Sequence, residues 1–255
     1  MIHPTALVDG GAQLGRDVEV GPYAVIGPKV TVGDGSQIGA HAVVERNARI
    51  GAGVQIGVGT VVGGPPQDLK YRGEETWVEI GDGTVIREYS TVNRGSTASG
   101  KTTIGAHCFL MTYVHVAHDC HVGNDVIIAN GVQMAGHVTI GDRANISGLT
   151  PIHQFCRIGT FAFVGGGSRV NQDVPPYVKA VGNPLQLYGL NSVGLQRAGF
   201  SPEVKLALKR VYRLLFNSDF TISQGIARAR AELPALAEIE TFLTFIETSQ
   251  RGVLV

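Results

Sequence analysis

An apolar residue recurs at every sixth position of this chain, and that period constrains the fold more than any other feature. Counting from Ile2, the first 11 positions in this phase, up to Val62, are all aliphatic. The phase returns for three positions from Ile80 and for twelve from Ile104, which gives 26 apolar positions in all. Because only 44% of the residues are hydrophobic, chance cannot sustain such a series.

A period of six fits neither an amphipathic helix nor a simple hairpin sheet, whose periods are 3.6 and 2. Hexapeptide repeats are typical of a parallel β-helix, so we expect each repeat to form a short strand and a turn. Three repeats then make a triangular coil, and coils stack at roughly 4.8 Å, the spacing of hydrogen-bonded strands. Gly follows the apolar residue at 14 of the 26 positions, and its freedom of backbone angle suits a recurrent corner.

The residue two places before each apolar position is usually small. Cys108, Cys120 and Cys156 all occupy this phase, so we interpret them as interior packing residues and not as nucleophiles or ligands. An odd number of cysteines, no secretory signal and no long apolar run predict a cytoplasmic protein without a transmembrane segment. A formal net charge of zero gives no reason to expect nucleic-acid binding.

Two polar segments interrupt the repeat, at 64–77 and 93–103, and are predicted to be loops that leave the prism. The repeat fades after Val170, and the period becomes helical from about 191. We therefore predict two domains, a β-helix over 1–190 and a small α-helical domain over 191–255. Its helices are expected at about 201–217, 223–233 and 236–249, starting from the N-cap pattern Ser-Pro-Glu at Ser201.

Histidines spaced by about one coil are the best candidates for chemistry. The steps from His118 to His137 and from His137 to His153 are each close to one coil, so these side chains are expected near one edge of the prism, within about 10 Å. Asp119 lies one full coil before His137 and is expected to stack directly against it. A carboxylate beside imidazoles can orient them for proton transfer. Zinc is the competing interpretation, but zinc carbonic anhydrases of hexapeptide architecture have a His pair five residues apart, which this set lacks.

Several motifs together carry a specific resemblance over essentially the whole chain. They are His115-Val-Ala-His118-Asp119-Cys120, Ala135-Gly136-His137, Ile152-His153-Gln154-Phe155-Cys156, Gln172-Asp-Val-Pro-Pro-Tyr177, Gly182-Asn183-Pro184 and Gln67-Asp68-Leu69-Lys70-Tyr71. In this combination the chain resembles the UDP-N-acetylglucosamine O-acyltransferase family of lipid A biosynthesis. The resemblance implies a homotrimer of left-handed β-helices with active sites between subunits.

The resemblance also implies the reaction. A 3-hydroxyacyl chain would move from acyl carrier protein, through its phosphopantetheine thioester, to the 3-position of UDP-N-acetylglucosamine, with no metal and no other cofactor. His118 matches the general base, Asp119 the residue that holds His118 or places the pantetheine arm, and Gly136 the backbone N–H that faces the oxyanion.

The remaining site residues follow from the same resemblance. The matching substrate contacts are Asp68, Lys70, His115, His137, His153, Gln154, Asn191 and Arg197. Gly166 matches the residue that limits acyl length, and a glycine there predicts a chain of about fourteen carbons, reaching roughly 13 Å past His118 by strand spacing. Val193, Ala198 and Asn93 depart from the family pattern, and the first two affect details of nucleotide binding.

Two other functions use the same architecture. An acyl-CoA-dependent acetyltransferase would differ in its donor, and a purely structural β-helix would not need coil-spaced histidines beside a carboxylate. The sequence leaves open whether the acceptor atom is a 3-hydroxyl or a 3-amine. Lys205, Lys209 and Arg213 recur every fourth residue and form a basic stripe, which is either an ordinary solvated surface or a contact for an acidic carrier protein.

Overall fold

The computed structural model describes residues 1–254 and consists of a three-sided prism of very short strands followed by helices. The first face holds Leu7–Val8, Val25–Ile26, Val43–Val44, Val61–Gly64, Thr91–Asn93, His115–Val116, Gln133–Met134 and Pro151–Ile152. The second holds Gln13–Leu14, Val30–Val32, Ala48–Ile50, Trp77–Ile80, Lys101–Ile104, His121–Val122, Thr139–Ile140 and Arg157–Ile158. The third holds Glu19–Val20, Gln37–Ile38, Gln55–Ile56, Val85–Ile86, Phe109–Leu110, Ile127–Ile128, Asn145–Ile146, Phe163–Val164, Val178–Val181 and Gln186–Leu190.

Each strand pairs in parallel with the strand one coil away, and only Gln186–Leu190 is antiparallel to its neighbour. In an uninterrupted coil the partners are three repeats apart, as Val116 and Met134 are. Coils that carry a loop are longer: Val62 pairs with Val92 across the first loop, and Val92 pairs with Val116 across the second. Both loops therefore add a whole number of repeats, which explains why the apolar phase survives them.

The predicted interior of the prism is confirmed. From Val20 onward, the residues of the six-residue phase are almost completely buried, and Ile26, Leu110 and Ile152 are at most 2% exposed. The first three positions, Ile2, Val8 and Leu14, are only partly covered. Cys108, Cys120 and Cys156 lie in the same core as free, buried thiols. Burial raises the pKa of the Cys120 thiol to about 12. These cysteines are therefore packing residues, as the phase of the repeat indicated.

The reason proposed above for the recurrent glycines is wrong. Of the glycines that follow an apolar position, only Gly63 has a positive φ. Close stacking of coils requires the others instead: a Cβ on Gly141 would lie 2.6 Å from the Thr160 nitrogen, and one on Gly21 2.8 Å from that of Ala40. The left-handed angles fall two residues later in each corner and are adopted mostly by larger side chains.

We name the corners by the faces they join. The first corner joins the first face to the second, the second corner joins the second to the third, and the third corner completes the coil. Both inserted loops leave from the first corner, because each connects a first-face strand to a second-face strand. The first loop covers 65–76 and the second loop covers 94–100.

The outer surfaces of the three faces differ in polarity. The second face is charged, and Glu79 pairs with Arg49 at 2.6 Å and with Lys101 at 2.8 Å. The first and third faces each carry a patch of outward apolar side chains beside polar ones such as Gln133 and Gln55. The apolar side chains are Val25, Val43 and Val61 on the first face and Val85, Phe109, Ile127 and Phe163 on the third.

The helices are α1 (Ser192–Arg197), α2 (Pro202–Phe216), α3 (Ile222–Glu232) and α4 (Ala237–Glu247). The last three lie where the sequence predicted helices, and the Ser201 side chain caps α2 by accepting from the Val204 N–H. The short α1 was not predicted. Helix α2 packs on the last strand of the third face, where the Gly189 N–H donates to the Tyr212 hydroxyl at 3.1 Å.

Candidate active site

His118, Asp119, Gly136 and His137 meet at the first corner on consecutive coils. Asp119 and His137 occupy the left-handed position of their corners, with φ of 60° and 63°. Left-handed angles are uncommon in proteins for residues other than Gly, but Asn, Asp and His adopt them more often than most. In this conformation both side chains lie at the same edge of the prism. The one-coil spacing therefore predicted their contact correctly: His137 Nε2 lies 3.7 Å from Asp119 Oδ2.

The Asp119 carboxylate is 2% exposed and is saturated with hydrogen-bond donors. Its Oδ1 accepts from the Ser96 N–H at 3.0 Å, from the Ser99 N–H at 3.2 Å and from the Ser99 hydroxyl. Its Oδ2 accepts from His118 Nδ1 at 2.7 Å. Burial alone would raise the pKa of Asp119, but the hydrogen bonds from Ser99, His118 and Ser96 outweigh it and lower the pKa to about 2. Asp119 is therefore ionised at neutral pH.

An ionised partner at Nδ1 fixes the tautomer of His118. With Nδ1 carrying the proton that Asp119 accepts, Nε2 keeps its lone pair. The ring lies over Gly136, where a Cβ would come within 2.6 Å of His118 Cε1. Gly136 therefore lacks a side chain because the imidazole occupies that space, and its N–H has no partner among residues 1–254. A base and a free N–H donor thus stand side by side.

His137 completes the cluster. Its ring stands edge-on to His118, with centroids 5.2 Å apart, and is stacked on Phe155 at 4.5 Å and 12°. His118, Asp119 and His137 offer three ligand atoms within 4.8 Å of one another, a composition that could hold a metal ion. However, Asp119 already accepts four hydrogen bonds, so its carboxylate is committed to orienting His118. The donor set fits general-base chemistry better than a metal centre.

Three further residues predicted to contact the substrate, His115, His153 and Gln154, lie around this cluster. His115 is on the first face, with Nδ1 2.7 Å from the Thr91 hydroxyl, and burial followed by the charge of His118 lowers its pKa. Gln154 lies one coil beyond Gly136 in the same row and is exposed. His153 is also exposed, one row away, and its Nδ1 faces the Gln154 carbonyl at 3.1 Å.

Asp68 and Lys70 lie on the first loop, which leaves the same corner below His118. The Lys70 N–H donates to Asp68 Oδ1 at 2.9 Å, and the Lys70 side chain is exposed. Buried Arg94 anchors this loop to the prism, since it donates to the Gly63 carbonyl at 2.6 Å and to the Tyr71 hydroxyl at 2.9 Å. The loop is thus held at its base while the Lys70 side chain stays exposed.

Asn191 and Arg197 do not join the His118 cluster within one chain. They line a separate groove of about 610 Å³ beneath α1, at the second corner and third face. Asn191 caps α1 by accepting from the Gly194 N–H at 3.1 Å and also donates to the Phe161 carbonyl at 2.9 Å. The groove adds two cations that the sequence argument missed, Arg143 and Lys179.

Gly166 lies at the third corner, so it is not stacked above His118 in the same chain. A Cβ at this position would meet only ordinary contacts, with the Gly148 carbonyl at 3.4 Å and Ser147 Cβ at 3.7 Å. The glycine is therefore not required by the stacking of coils. Its lack of a side chain leaves open space on the outer surface.

The fold and the repeats define the chain as a hexapeptide-repeat transferase. The family described as bacterial transferase hexapeptide (six repeats) matches residues 11–46 and 101–136. The family described as UDP-N-acetylglucosamine O-acyltransferase, domain 2, matches residues 173–254. The two matches fall on the prism and on the helical end, respectively.

Full-length relatives identify the family. The acyl-[acyl-carrier-protein]--UDP-N-acetylglucosamine O-acyltransferase of Thiobacillus denitrificans is 47% identical over 99% of this chain and 98% of its own length. The enzyme of the same name from Anaeromyxobacter dehalogenans is 48% identical, with the same coverage of both chains. The chain belongs to the UDP-N-acetylglucosamine O-acyltransferase family.

Solved structures agree. The UDP-N-acetylglucosamine acyltransferase of Bacteroides fragilis is 42% identical and superposes with a TM-score of 0.98 over 100% of both chains. The corresponding structure from Acinetobacter baumannii, also 42% identical, gives 0.97 over 100% of this chain and 99% of its own. The fold is a left-handed parallel β-helix with a small helical C-terminal part. No helix within residues 1–254 has the length and hydropathy to cross a membrane.

Proposed function

We propose that this chain transfers a 3-hydroxyacyl group from acyl carrier protein to the 3-position of UDP-N-acetylglucosamine, the first step of lipid A biosynthesis. The observation that carries the proposal is the His118–Asp119 pair beside the free Gly136 N–H, in a chain of this family. Relatives named for this reaction match the whole chain at 47% and 48% identity.

The geometry accounts for each proton and bond. His118 Nε2 takes the proton of the sugar 3-hydroxyl as that oxygen attacks the thioester carbon. The Gly136 N–H donates to the oxyanion of the tetrahedral intermediate. When the intermediate collapses, the carbon–sulfur bond breaks. The departing pantetheine thiolate then takes the proton that His118 received from the sugar. Ionised Asp119 stabilises the imidazolium between these two steps, without itself accepting the proton.

A homotrimer with sites between subunits fits the distribution of surfaces. The first and third faces each carry a patch of outward apolar side chains, and the second carries charged side chains. If the first face of one subunit packs on the third face of the next, the first corner of one comes beside the second corner of its neighbour. The groove with Asn191 and Arg197 would then face His118 of the adjacent subunit. A molar mass of three chains in solution is the expected result of light scattering.

The substrate contacts divide accordingly. Arg143, Lys179 and Arg197 give the groove beneath α1 three cations against the single carboxylate of Asp125, which suits a diphosphate. On the other side of the interface, we assign the sugar to Asp68 and Lys70 of the first loop and to a set of residues near the base. That set is His115, His137, His153 and Gln154.

The acyl chain would lie between the apolar patches of the first and third faces and end near Gly166. Acyl carrier protein, the co-substrate, would supply it through its phosphopantetheine arm, with no other cofactor. On α2, Lys209 and Arg213 are exposed and Lys205 is half-buried, and none of the three forms an ion pair within residues 1–254. This stripe is available to an acidic carrier. Three free, buried cysteines suit a cytoplasmic site of action.

Mass spectrometry of a defined reaction tests the function. Purified protein is incubated with UDP-N-acetylglucosamine and with acyl carrier protein that bears a 3-hydroxyacyl chain of ten or fourteen carbons. Acetyl-CoA is tested as the alternative donor. We expect a product heavier by one 3-hydroxyacyl group, cleaved by hydroxylamine as an ester is and an amide is not. No product, or a faster reaction with acetyl-CoA, would overturn the proposal.

A further inference from the structure

The second loop closes over the buried carboxylate that orients the base. Three of its donors, the Ser96 N–H, the Ser99 N–H and the Ser99 hydroxyl, converge on Oδ1 of Asp119. Because all three take the same oxygen, Oδ2 remains for His118 Nδ1, at 2.7 Å. The loop therefore fixes the rotation of the carboxylate as well as its charge.

Ser99 contributes the side-chain part of this arrangement. Backbone N–H donors exist whatever residue occupies a loop, but a hydroxyl is specific to the side chain. The Ser99 hydroxyl also lies 2.8 Å from the Lys101 carbonyl, so its single proton has two possible acceptors. An ionised carboxylate is the stronger acceptor. Ser99 is otherwise exposed, so little packing depends on it.

We propose that Ser99 is a positioning residue for acyl transfer: its hydroxyl holds Asp119 Oδ1 so that Oδ2 keeps His118 in the tautomer with a free Nε2. The proposal rests on the proposed function, in which His118 is the base. Ser99 acts only through Asp119 and does not touch the substrates. It follows that the effect of Ser99 belongs to the chemical step and not to binding.

Kinetics of three loop variants test this assignment. Hydrogen bonds to charged groups are among the stronger ones, so Ser99→Ala is expected to lower kcat about tenfold. KM for both substrates should stay unchanged, and Ser99→Thr, which keeps a hydroxyl, should recover most of the rate. Thr97→Ala is the matched control, because Thr97 is exposed on the same loop and has no bond to Asp119. Thr97→Ala should melt at the wild-type temperature, and Ser99→Ala should stay folded but melt slightly earlier, because the Ser99 hydroxyl helps to stabilise ionised Asp119.

A double-mutant cycle separates positioning from a general structural effect. In an Asp119→Ala background, Ser99→Ala should change single-turnover rates no further. The same should hold in a His118→Ala background, which replaces the Asp119→Ala background if that variant does not fold. Full additivity, an unchanged kcat for Ser99→Ala, or a change in KM alone would overturn the inference while leaving an active wild type, and hence the proposed function, intact. An inactive wild type would instead overturn the proposed function.

Discussion

The first and second corners are built from the same hexapeptide geometry but use their polar side chains differently. At the second corner, side chains cap the backbone of the preceding coil: Asp82 accepts from the Ala52 N–H at 2.8 Å and Asp142 from the Asn124 N–H at 2.7 Å. Each second corner begins with Gly, since the next coil leaves no room for a Cβ there. At the first corner, by contrast, Asp119 accepts from an inserted loop and from a histidine.

The contrast explains where chemistry can develop on a repetitive scaffold. A carboxylate that satisfies its own backbone is a structural part of the coil. A carboxylate that does not cap the backbone of its own coil can accept hydrogen bonds from a loop and from other side chains. Here Thr102 accepts the Asp119 N–H at 2.9 Å, and the second loop supplies the rest. The second loop thus frees the Asp119 carboxylate at this corner to orient His118.

The largest expected difference between the corners is catalytic. Loss of a general base typically lowers the rate by about 10²–10⁴. His118→Ala should therefore lower kcat by this factor, to a residual rate that single-turnover assays can still follow, while the variant stays folded with an unchanged molar mass in solution. His107→Ala, at a second-corner position with φ of 55°, is the control and should keep full activity. Steady-state assays with both variants decide this, and equal losses would remove the distinction between corners.

A pair of glycine substitutions should separate activity from stability. At the second corner, the Cβ of Gly141→Ala would meet the Thr160 backbone nitrogen at 2.6 Å, and overpacking of this kind costs roughly 1–3 kcal/mol. At the first corner, the Cβ of Gly136→Ala would meet His118 Cε1 at 2.6 Å, and a side chain can move aside. We expect Gly141→Ala to lower the melting temperature and Gly136→Ala to lower kcat. Calorimetry and rate measurements on both variants check this, and a stable Gly141→Ala or a fully active Gly136→Ala would contradict it.

The third corner should carry specificity and neither of the other two roles. A Cβ at Gly166 meets nothing closer than 3.4 Å, so Gly166→Met should fold normally. Filling the space should shift the preferred donor from about fourteen carbons toward ten, by about 10–100-fold in relative kcat/KM. Side-by-side assays with the two donors measure the ratio. If wild type prefers ten carbons, or the variant keeps fourteen, Gly166 does not limit acyl length.

Donor affinity should depend on a surface remote from all three corners. Changing Lys205, Lys209 and Arg213 together to Glu should raise KM for the acyl carrier protein about tenfold, since steering by opposite charges is lost. KM for the sugar nucleotide should not change, and added salt should mimic the variant. A donor KM equal to that of wild type would show that the stripe is ordinary solvated surface.

The acid response should also differ between the two kinds of carboxylate. The pKa of Asp119 is about 2 against an ordinary 3.8, so its ionised form stabilises the fold above about pH 4, and this contribution disappears as pH falls toward 2. The shift corresponds to about 2 kcal/mol. Asp119→Asn should lose this part of the pH dependence in acid unfolding. Asp34→Asn at the exposed second corner, where bonds from Arg16 lower the pKa, should change it less.

The fold was predictable because each repeat has the same six-residue spacing of apolar residues. The period of six predicted the prism and the interior rows, and a spacing of one coil placed Asp119 against His137. Ser96 and Ser99 were not predictable, since the second loop leaves the repeat and no period fixes where it returns. Grouping Asn191 with His118 came from resemblance, and one chain does not bring them together.

The glycines illustrate a different failure. Their spacing predicts a recurrent corner, but the cause is close approach of the next coil and not conformational freedom, and a sequence does not show how near the next coil lies. The short α1 was missed for a related reason: a segment of that length that includes Gly194 gives no helical periodicity, and the Asn191 cap that stabilises it is visible only in three dimensions.

The constant pairing of each coil with the next also determines how the chain can acquire its structure. Each coil contacts only its neighbours, and closing a coil that carries an inserted loop costs nearly the same entropy as closing a plain one, because that cost grows only with the logarithm of length. Assembly can therefore proceed coil by coil from any nucleus, as in other one-dimensional repeat arrays. Elongation stops where the antiparallel strand Gln186–Leu190 and α2 cover the last coil, so the helical end sets the length of the prism.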